Sequence, residues 1–483
     1  MTPLIGFAPD KDTFTPGVIT ACENMVPAAD GFKAAPSPQS IGVTALAATA
    51  LGAAQVIKLD DSRRLFAGTS SALYEWSGSS WTDRSKVGGY SLGTTEQWHF
   101  VQWGDVTIAC GGVAETLQAS TTGAFADISG APKAACIDAT QGFVMVGNYD
   151  PGTGVVADGW KCCALYDYTD WTDDVNTQAA SGRLIETQGA IKAVKALGGD
   201  FVAYKDGSMF LGQFVGPSAV WRWRLISNEI GSPGPGAVVP VDSLHIFMGA
   251  QDFYAFDGSR PVPIGSDIRE WFFVTQLDPV YKVKVRSLHN KDAGIVYFFY
   301  PSRDQGSGAL DKWVAYNYRT QKWGAGSLNV ECAVDWKSGG YTMNGLDALA
   351  STIDALPQIP FDDPFWSSSR SVPAIINTSH VVQTLNGVST GMSITTGDVG
   401  DDSTYSQLMF VRPRYSLKPT TAQATNFYRN DLDDTLASDV TVSALDGKHD
   451  FLRVSRWHRM RLDVTGDCNV SALYFKMQGY GDR

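Results

Sequence analysis

The chain has 483 residues with 50 acidic and 38 basic side chains, which gives a formal net charge of −12. This balance argues against a nucleic-acid-binding protein, because phosphate neutralisation needs clustered Lys and Arg. Only eight of the acidic residues are Glu, which favours helices, whereas 42 are Asp, which favours turns. With 49 Gly, 14 Trp, 18 Tyr and 23 Phe, the composition predicts a turn-rich, mostly β protein.

The cysteines and the N-terminus indicate a reducing compartment and no membrane insertion. The seven cysteines show no CxxC spacing, and an odd number without a signal peptide is typical of free thiols. The adjacent Cys162 and Cys163 are interpreted as packing residues on opposite faces of a strand, with a redox-active pair as the alternative. The uncharged stretch 41–57 is built of Ala, Thr and Gly and is too short to span a bilayer.

Residues 1–54 are predicted to form an extended N-terminal arm that ends in a first strand. Prolines recur too often for a helix, so the segment should lie extended over another part of the molecule. They are Pro3, Pro9, Pro16, Pro27, Pro36 and Pro38.

A repeated module occupies residues 55–356. Its clearest copy is LFAGTSSALYEWSGSSWTD, residues 65–83: a strand, a Gly-containing turn, an aromatic strand and a Trp-bearing turn. Looser copies begin at Phe100, Phe143, Phe201, Ile246, Ile295 and Ala333. Units of this kind bury their apolar faces by stacking on each other. At about 40–45 residues per four-stranded blade, the segment predicts a β-propeller of six or seven blades.

One short helix is predicted inside the repeats. In GSDIREWFFVTQLDP, Asp267 is placed to cap the helix and Glu270 follows at capping-box spacing. The helix should run from Ile268 to Leu277 and end before Pro279.

A Pro- and Ser-rich linker is predicted at 357–371, and residues 372–483 are predicted to form a C-terminal β-sandwich-like domain. Alternation near its end indicates half-buried strands. Leu452, Val454, Met460, Leu462 and Val464 share the apolar face, and Arg453, Arg459, Arg461 and Asp463 share the polar one. His458 is expected in the core, and His449 is expected to face solvent.

No motif predicts catalysis, so the chain is interpreted as a non-enzyme without cofactor or metal. A glycosidase would need convergent carboxylates, and the eight Glu residues are scattered. There is no G-x-S-x-G elbow, phosphate-binding loop or dinucleotide fingerprint. The Asp-rich stretches 397–403 and 430–435 lack EF-hand spacing and are interpreted as solvated turns.

Basic residues nevertheless cluster locally, and two interpretations stay open. They could be solvated strand faces, or they could contact the acidic blades of another subunit, since opposite potentials set register between copies. Lys282, Lys284 and Arg286 are expected to alternate along one strand. The candidate interface residues are Lys282, Lys284, Arg286, Arg412, Arg414, Arg453, Arg459 and Arg461.

An ordered set of phrases along the chain resembles the tail nozzle proteins of short-tailed bacteriophages, also called tail tubular protein B, tail hub or head–tail stabilisation proteins. Near the N-terminus, Asn24, Pro27, Gly31 and Phe32 match an N-x-x-P-x-x-x-G-(F/Y) phrase of that family. Further similar stretches lie at 63–90, 96–112, 167–174, 212–239, 250–273, 310–323 and 453–464. No long insertion or tip domain is evident.

The resemblance implies a structural protein of the virion tail, made in the bacterial host cytoplasm. Six copies would form a homo-hexameric ring below the head–tail adaptor ring. Double-stranded DNA would pass through the lumen without specific binding, and tail fibre, spike or needle proteins would attach beyond it. The alternative is a propeller that binds a host glycan or receptor, with Trp221 and Trp223 as a stacking platform on one strand face.

Overall fold

The computed structural model describes residues 2–337 apart from 79, 94 and 218, together with 346, 350–360, 366 and 371–481. Most of these residues lie in antiparallel strands, which form a ring of small sheets and a two-sheet sandwich. The predicted fold class, an all-β β-propeller with a C-terminal β-sandwich-like domain, is confirmed. None of the described helices is long and apolar enough to cross a bilayer.

The first three blades are consecutive sheets whose first strands lie nearest the ring axis. Blade 1 contains Gly52–Ile57, Arg63–Gly68, Leu73–Trp76 and Trp81–Asp83. Blade 2 contains His99–Trp103, Val106–Cys110, Gln118–Ser120 and Ala126–Asp127. Blade 3 contains Lys133–Thr140, Phe143–Asp150, Val156–Cys162 and Ala180–Arg183, with Gly112–Thr116 as an extra strand beside the first.

Blades 4 to 6 continue the same order. Blade 4 contains Ile191–Leu197, Asp200–Lys205, Met209–Gly216 and Val220–Ser227. Blade 5 contains Val238–Val241, Leu244–Met248, Phe253–Phe256 and Val262–Pro263. Blade 6 contains Arg286–Asn290, Ile295–Tyr300, Leu310–Asn317 and the first half of Lys322–Lys337.

Stacking on both faces explains the unbroken apolar strands. All six residues of Ile295–Tyr300 are buried, which is expected of a strand covered on both faces rather than one. The many Asp residues occupy the turns, where their carboxylates accept backbone N–H groups two residues ahead. Three examples are the pairs Asp60–Ser62, Asp167–Thr169 and Asp257–Ser259.

A seventh blade closes the ring with strands from both ends of the chain. The 16-residue strand Lys322–Lys337 continues past blade 6, and from Val330 onward it pairs with Ser371–Asn377. Val382–Gly387 comes next, and the outermost strand is Ser37–Ser40 from the N-terminal segment. The described residues therefore form seven blades, the upper value of the predicted range.

The sandwich also combines both ends of the chain. Its first sheet contains His449–Ser455, Tyr405–Leu417, Asn469–Gly481, Gly31–Ala34 and Met25–Ala28, with Thr2–Pro3 beside Asn469–Gly481. Its second sheet contains Gly6–Phe7, Val18–Glu23, Met392–Gly400, Trp457–Thr465, Thr421–Arg429 and Ala437–Ser438, with Val442–Ser443 beside Thr421–Arg429.

One hydrophobic core joins the sandwich to blades 5 and 6. Phe7 and Met25 from the N-terminal segment and Met460 from the sandwich belong to the same buried cluster as Phe253 and Trp323 of the propeller. Gly324 permits this approach, because a Cβ there would lie only 2.1 Å from the Met25 carbonyl oxygen. The two parts are therefore packed as one body rather than joined by a free linker.

The final strands depart in part from the predicted alternation. Met460, Leu462 and Val464 are buried as predicted, and His458 lies in the core. Leu452 is 65% exposed with a φ of +58°, because the pairing of its strand with Tyr405–Leu417 shifts register between Asp450 and Arg453. The prediction that His449 faces solvent is wrong: it is buried, and its Nδ1 lies 2.9 Å from the Val442 carbonyl oxygen.

The predicted helix is shorter than expected and is capped from elsewhere. It contains a π-helical segment, Trp271–Gln276, and Asp267 does not cap it. The cap comes from Asp10, whose carboxylate accepts the N–H groups of Glu270 and Trp271 at 2.6 and 2.8 Å. Asp267 instead pairs with Lys11 at 2.9 Å. The remaining described helical segments are the short turns Pro235–Ala237, Lys282–Lys284 and Ile353–Ala355.

These strand pairings change the domain boundaries that the sequence predicts. The arm expected at 1–54 supplies strands to both sandwich sheets and to blade 7. The propeller expected at 55–356 extends to strands at 37–40, 371–377 and 382–387. The linker expected at 357–371 lies largely outside the described residues, and its last residue, Ser371, begins a blade strand. The physical reason is that strands of the N-terminal segment find partners more than 300 residues away, as Ser37–Ser40 does in Val382–Gly387, which no local pattern records.

Candidate functional site

The three basic residues expected on one propeller strand have three different environments. The prediction of a strand is wrong for Lys282 and Lys284, which lie in a 3-10 turn, and the strand begins at Arg286. Asp278 starts this turn, since its carboxylate accepts the Val280 N–H at 2.9 Å. Lys282 lies 3.4 Å from Asp206, and Lys284 lies 5.1 Å from the Tyr281 ring centre. Only Arg286 points into the ring.

In the sandwich, Arg459 belongs to a buried ion-pair cluster around Asp398. The Asp398 side chain is fully buried and accepts Arg459 Nε at 3.0 Å and Nη2 at 2.9 Å. Arg429 Nη2 donates to the same carboxylate at 2.8 Å, and Thr13 donates from the N-terminal segment at 3.0 Å. One carboxylate is shared by two guanidinium groups here, and its contact with Thr13 fastens the N-terminal segment to the sandwich.

The other predicted basic residues of the sandwich differ in their contacts and in their exposure to solvent. Arg453 makes a bidentate contact with Asp439 and stacks 4.3 Å over the Tyr428 ring. Arg461 pairs with Asp463 at 3.0 Å. Arg412 is exposed and donates to the Asp446 carbonyl at 3.4 Å, and Arg414 is also exposed. Much of the basic charge is therefore balanced within the chain.

The tryptophans considered as a stacking platform lie within the blades. Trp221 is 4% exposed and is surrounded by Phe143, Phe201 and Phe214 at ring-centre distances of 5.0–5.7 Å. Trp223 is half-buried and packs against Trp160 at 5.6 Å. A sugar needs an open aromatic face, and Trp221 offers none.

The described part of the chain contains no cluster of metal-binding side chains, and its adjacent cysteines are buried. No group of three or more His, Cys, Asp or Glu side chains there is placed to hold a metal ion. The vicinal Cys162 and Cys163 are both fully buried, and burial raises the pKa of each thiol to about 12. Such thiols are inert packing groups. The Asp-rich stretch 397–403 is used internally, with Asp401 accepting the Ser403 N–H at 2.7 Å.

An axial cavity of about 270 Å³ lies where the inner strands of the blades converge. Gln97, His99, Lys195 and Arg286 line it from blades 2, 4 and 6, and the remaining lining is apolar or backbone apart from Ser287. No Asp or Glu belongs to the described lining. In a chain of net charge −12 this cavity carries positive charge without a balancing carboxylate.

Two side chains that line the cavity, His99 and Arg286, have lowered pKa values. Burial, together with the charges of Lys195 and Arg286, lowers the pKa of His99 to about 3, so His99 is neutral. Burial also lowers the pKa of Arg286 to about 10. The Arg286 guanidinium makes only long contacts, 3.3 Å to the Lys284 carbonyl and 3.5 Å to the Leu51 carbonyl.

A second cavity of about 230 Å³ lies in the sandwich, where the N-terminal segment crosses both sheets. Phe14, Pro16, Trp457 and Phe475 make its wall largely apolar. The only acidic group in its described lining, Asp398, is fully paired.

The sequence offered little signal for the axial cavity. The sequence predicts Arg286 only as a candidate interface residue on the surface, and it marks none of Gln97, His99 and Lys195. Lys195 lies in the strand Ile191–Leu197, where a single Lys has the appearance of a solvated position. The signal that could have found it is positional: in a propeller, charged residues on the first strand of a blade lie close to the axis.

Comparisons with known proteins add no function. No protein-family model and no curated protein matches the chain. Among solved structures, the extracellular domain of a hybrid two-component system from B. thetaiotaomicron is similar at 6% identity and a TM-score of 0.41. The match covers 78% of this chain, which spans 44% of that chain. The Neurospora crassa Pan2 WD40 domain is similar at 9% identity and a TM-score of 0.36, covering 70% of this chain and 94% of that domain.

Proposed function

We propose that this chain is a structural protein of a short-tailed phage tail, forming a hexameric nozzle ring below the head–tail adaptor. The observation that carries the proposal is the ordered resemblance of phrases from Asn24 to 453–464 to tail nozzle proteins. The phrases at 63–90, 96–112 and 310–323 fall within blades, and the phrase at 453–464 falls within the sandwich. The resemblance thus follows the order of the folded parts.

The charge distribution supports a conduit for DNA rather than a DNA-binding protein. Arg429, Arg453, Arg459 and Arg461 are paired with carboxylates of the same chain. Each free cation on a channel wall would create a salt-dependent contact with phosphate. A wall of excess Asp repels or ignores the polyanion and lets it pass.

The DNA channel in this proposal lies between subunits and not inside one propeller. The axial cavity of about 270 Å³ is several times the volume of one water and far too small for a duplex. Its two cations, Lys195 and Arg286, would also retain a polyanion. The lumen would therefore be formed by the outer surfaces of the six copies.

The joined architecture suits a load-bearing ring. The N-terminal segment contributes to blade 7 and to both sandwich sheets, so blade closure and sandwich assembly depend on the same residues. Closure of a β ring also removes the free edges through which strands aggregate. A nozzle must resist the pressure of genome passage, and this chain has no free hinge between its two described parts.

The test is electron cryomicroscopy of phage particles that contain this chain. The expected result is six copies beneath the adaptor around a DNA-width channel. A peripheral position, or absence from the tail, would contradict the proposal. A simpler measurement is a gel shift with duplex DNA: we expect no complex at about 10 μM protein in physiological salt, where non-specific binders already associate. A glycan array on the purified chain tests the receptor-binding alternative.

A further inference from the structure

The axial cavity has the features of a binding site for a small anion, and its argument does not depend on the nozzle proposal. Lys195 comes from the first strand of blade 4 and Arg286 from the first strand of blade 6. Both side chains line the same cavity, and both act on the pKa of His99 from across it. Two cations held together at a partly buried site repel each other unless an anion lies between them.

The acidic side chains nearest to the cavity are already engaged. Glu96 and Glu331 border an adjoining cavity that Arg286 also touches. Glu96 accepts the Gly93 N–H at 2.7 Å, and Glu331 binds His380 at 2.7 Å and the Ala50 N–H at 2.8 Å. Asp138, near Lys195, accepts the Ala139 and Ala196 N–H groups at 2.9 Å. None of these carboxylates lies within ion-pair distance of Lys195 or Arg286 in the described structure.

Gln97 shapes one wall of the cavity without taking part in binding. The residue is 7% exposed, and its Nε2 donates to the Val283 carbonyl at 2.9 Å. This contact fixes the amide orientation, and Oε1 is buried away from the open space of the cavity. Lys195 and Arg286 therefore supply the polar recognition of a ligand here.

We propose that the axial cavity binds inorganic phosphate or another small tetrahedral oxyanion of charge −2, held between Lys195 and Arg286. The volume of about 270 Å³ admits a tetrahedral oxyanion with part of its hydration shell. Arg supplies a planar fork that matches phosphate oxygens, and Lys supplies a point charge. A ligand placed here bridges blades 4 and 6 across the ring and stiffens it.

The experiment is calorimetric titration of the full chain with inorganic phosphate at constant ionic strength. We expect one saturable site, and affinity at least about tenfold weaker in Lys195→Met and in Arg286→Gln, because each removes a charge-assisted hydrogen bond. Lys192→Met is the matched control: it makes the same change on the same strand, and Lys192 is not part of the described cavity lining.

Thermal unfolding is the second measurement, because it shows whether a variant that does not bind phosphate is still folded. Without phosphate, Lys195→Met should melt at a higher temperature than the unmodified chain, since it removes one of two like charges. Phosphate should raise the melting temperature of the unmodified chain and of Lys192→Met more than that of Lys195→Met. Absence of a saturable site, or equal affinities of Lys195→Met and Lys192→Met, would overturn the proposal.

Discussion

Asp398 gives the sharpest test of how the two ends of the chain are held together. Its carboxylate is fully buried and accepts hydrogen bonds from Arg429, Arg459 and Thr13 at 2.8–3.0 Å. Asp398→Ala would leave two guanidinium groups in the sandwich without their shared anion. Removing one partner from a buried ion-pair cluster typically costs about 3–5 kcal/mol, so we expect a loss of that size.

The assay should report on the sandwich alone, because a chain of two packed parts need not unfold in one step. Hydrogen exchange of peptides covering 392–400 and 457–465 measures local opening in the two strands that carry Asp398 and Arg459. A loss of about 3–5 kcal/mol corresponds to exchange faster by roughly two to four orders of magnitude. Peptides 295–300 of blade 6 serve as the internal reference.

Asp463→Ala is the matched control, since Asp463 lies in the same sheet and pairs with Arg461. Both side chains are partly exposed, at 35% and 49%, so solvent screens the pair and the expected loss is below about 1 kcal/mol. Adding Arg429→Met and Arg459→Met to Asp398→Ala should recover part of the loss, because the uncompensated charges are gone. A loss below about 1 kcal/mol for Asp398→Ala would refute the reasoning.

Three further predictions concern individual side chains. Asp10→Ala removes the cap of the segment at 269–276 and should lower the unfolding free energy by about 1 kcal/mol in thermal melts; an unchanged melt would argue against capping. Cys162 and Cys163 should not react with a thiol reagent at pH 8 until denaturant is added, because burial holds their pKa values near about 12; modification of the native chain would contradict this. Burial lowers the pKa of His245 to about 4, so the unfolded state binds the extra proton as the pH falls from 6.5 to 4. Stability should fall by about 3 kcal/mol over that window, and His245→Gln should flatten the decline.

Local patterns predicted the parts of the fold that close on themselves. Each blade from 1 to 6 consists of neighbouring strands joined by short turns, so a repeat such as 65–83 contains most of what its sheet needs. The same holds for Met460, Leu462 and Val464, whose period of two follows from burial of one sheet face.

Long-range pairing was beyond those patterns. Ser37–Ser40 has no apolar alternation, and only its partner Val382–Gly387 makes it a strand. The sequence does not predict the cap by Asp10, because Asp267 lies at the expected capping spacing. Which of two carboxylates caps a helix depends on the fold when one of them is more than 250 residues away. His449 follows a DGK turn that favours exposure, yet the opposite sheet covers it. The sequence does not predict that Lys195 and Arg286 meet, because they come together only when the blades close into a ring.

The use of the N-terminal segment as sheet material determines when the molecule can be completed. Thr2 pairs with Leu473, and Ile19 pairs with Thr396, so the first strands to leave the ribosome wait for almost the last. At about 5–20 residues per second, that wait is on the order of half a minute to a minute and a half. During it, the strands that contain Phe7 and Ile19 lack their neighbours in the sandwich sheets, and only propeller residues such as Trp271 are available to cover them. Blades 1 to 6 can form meanwhile, but neither blade 7 nor the sandwich is complete until the strands at 371–481 have been made, which makes translation itself the timer of assembly.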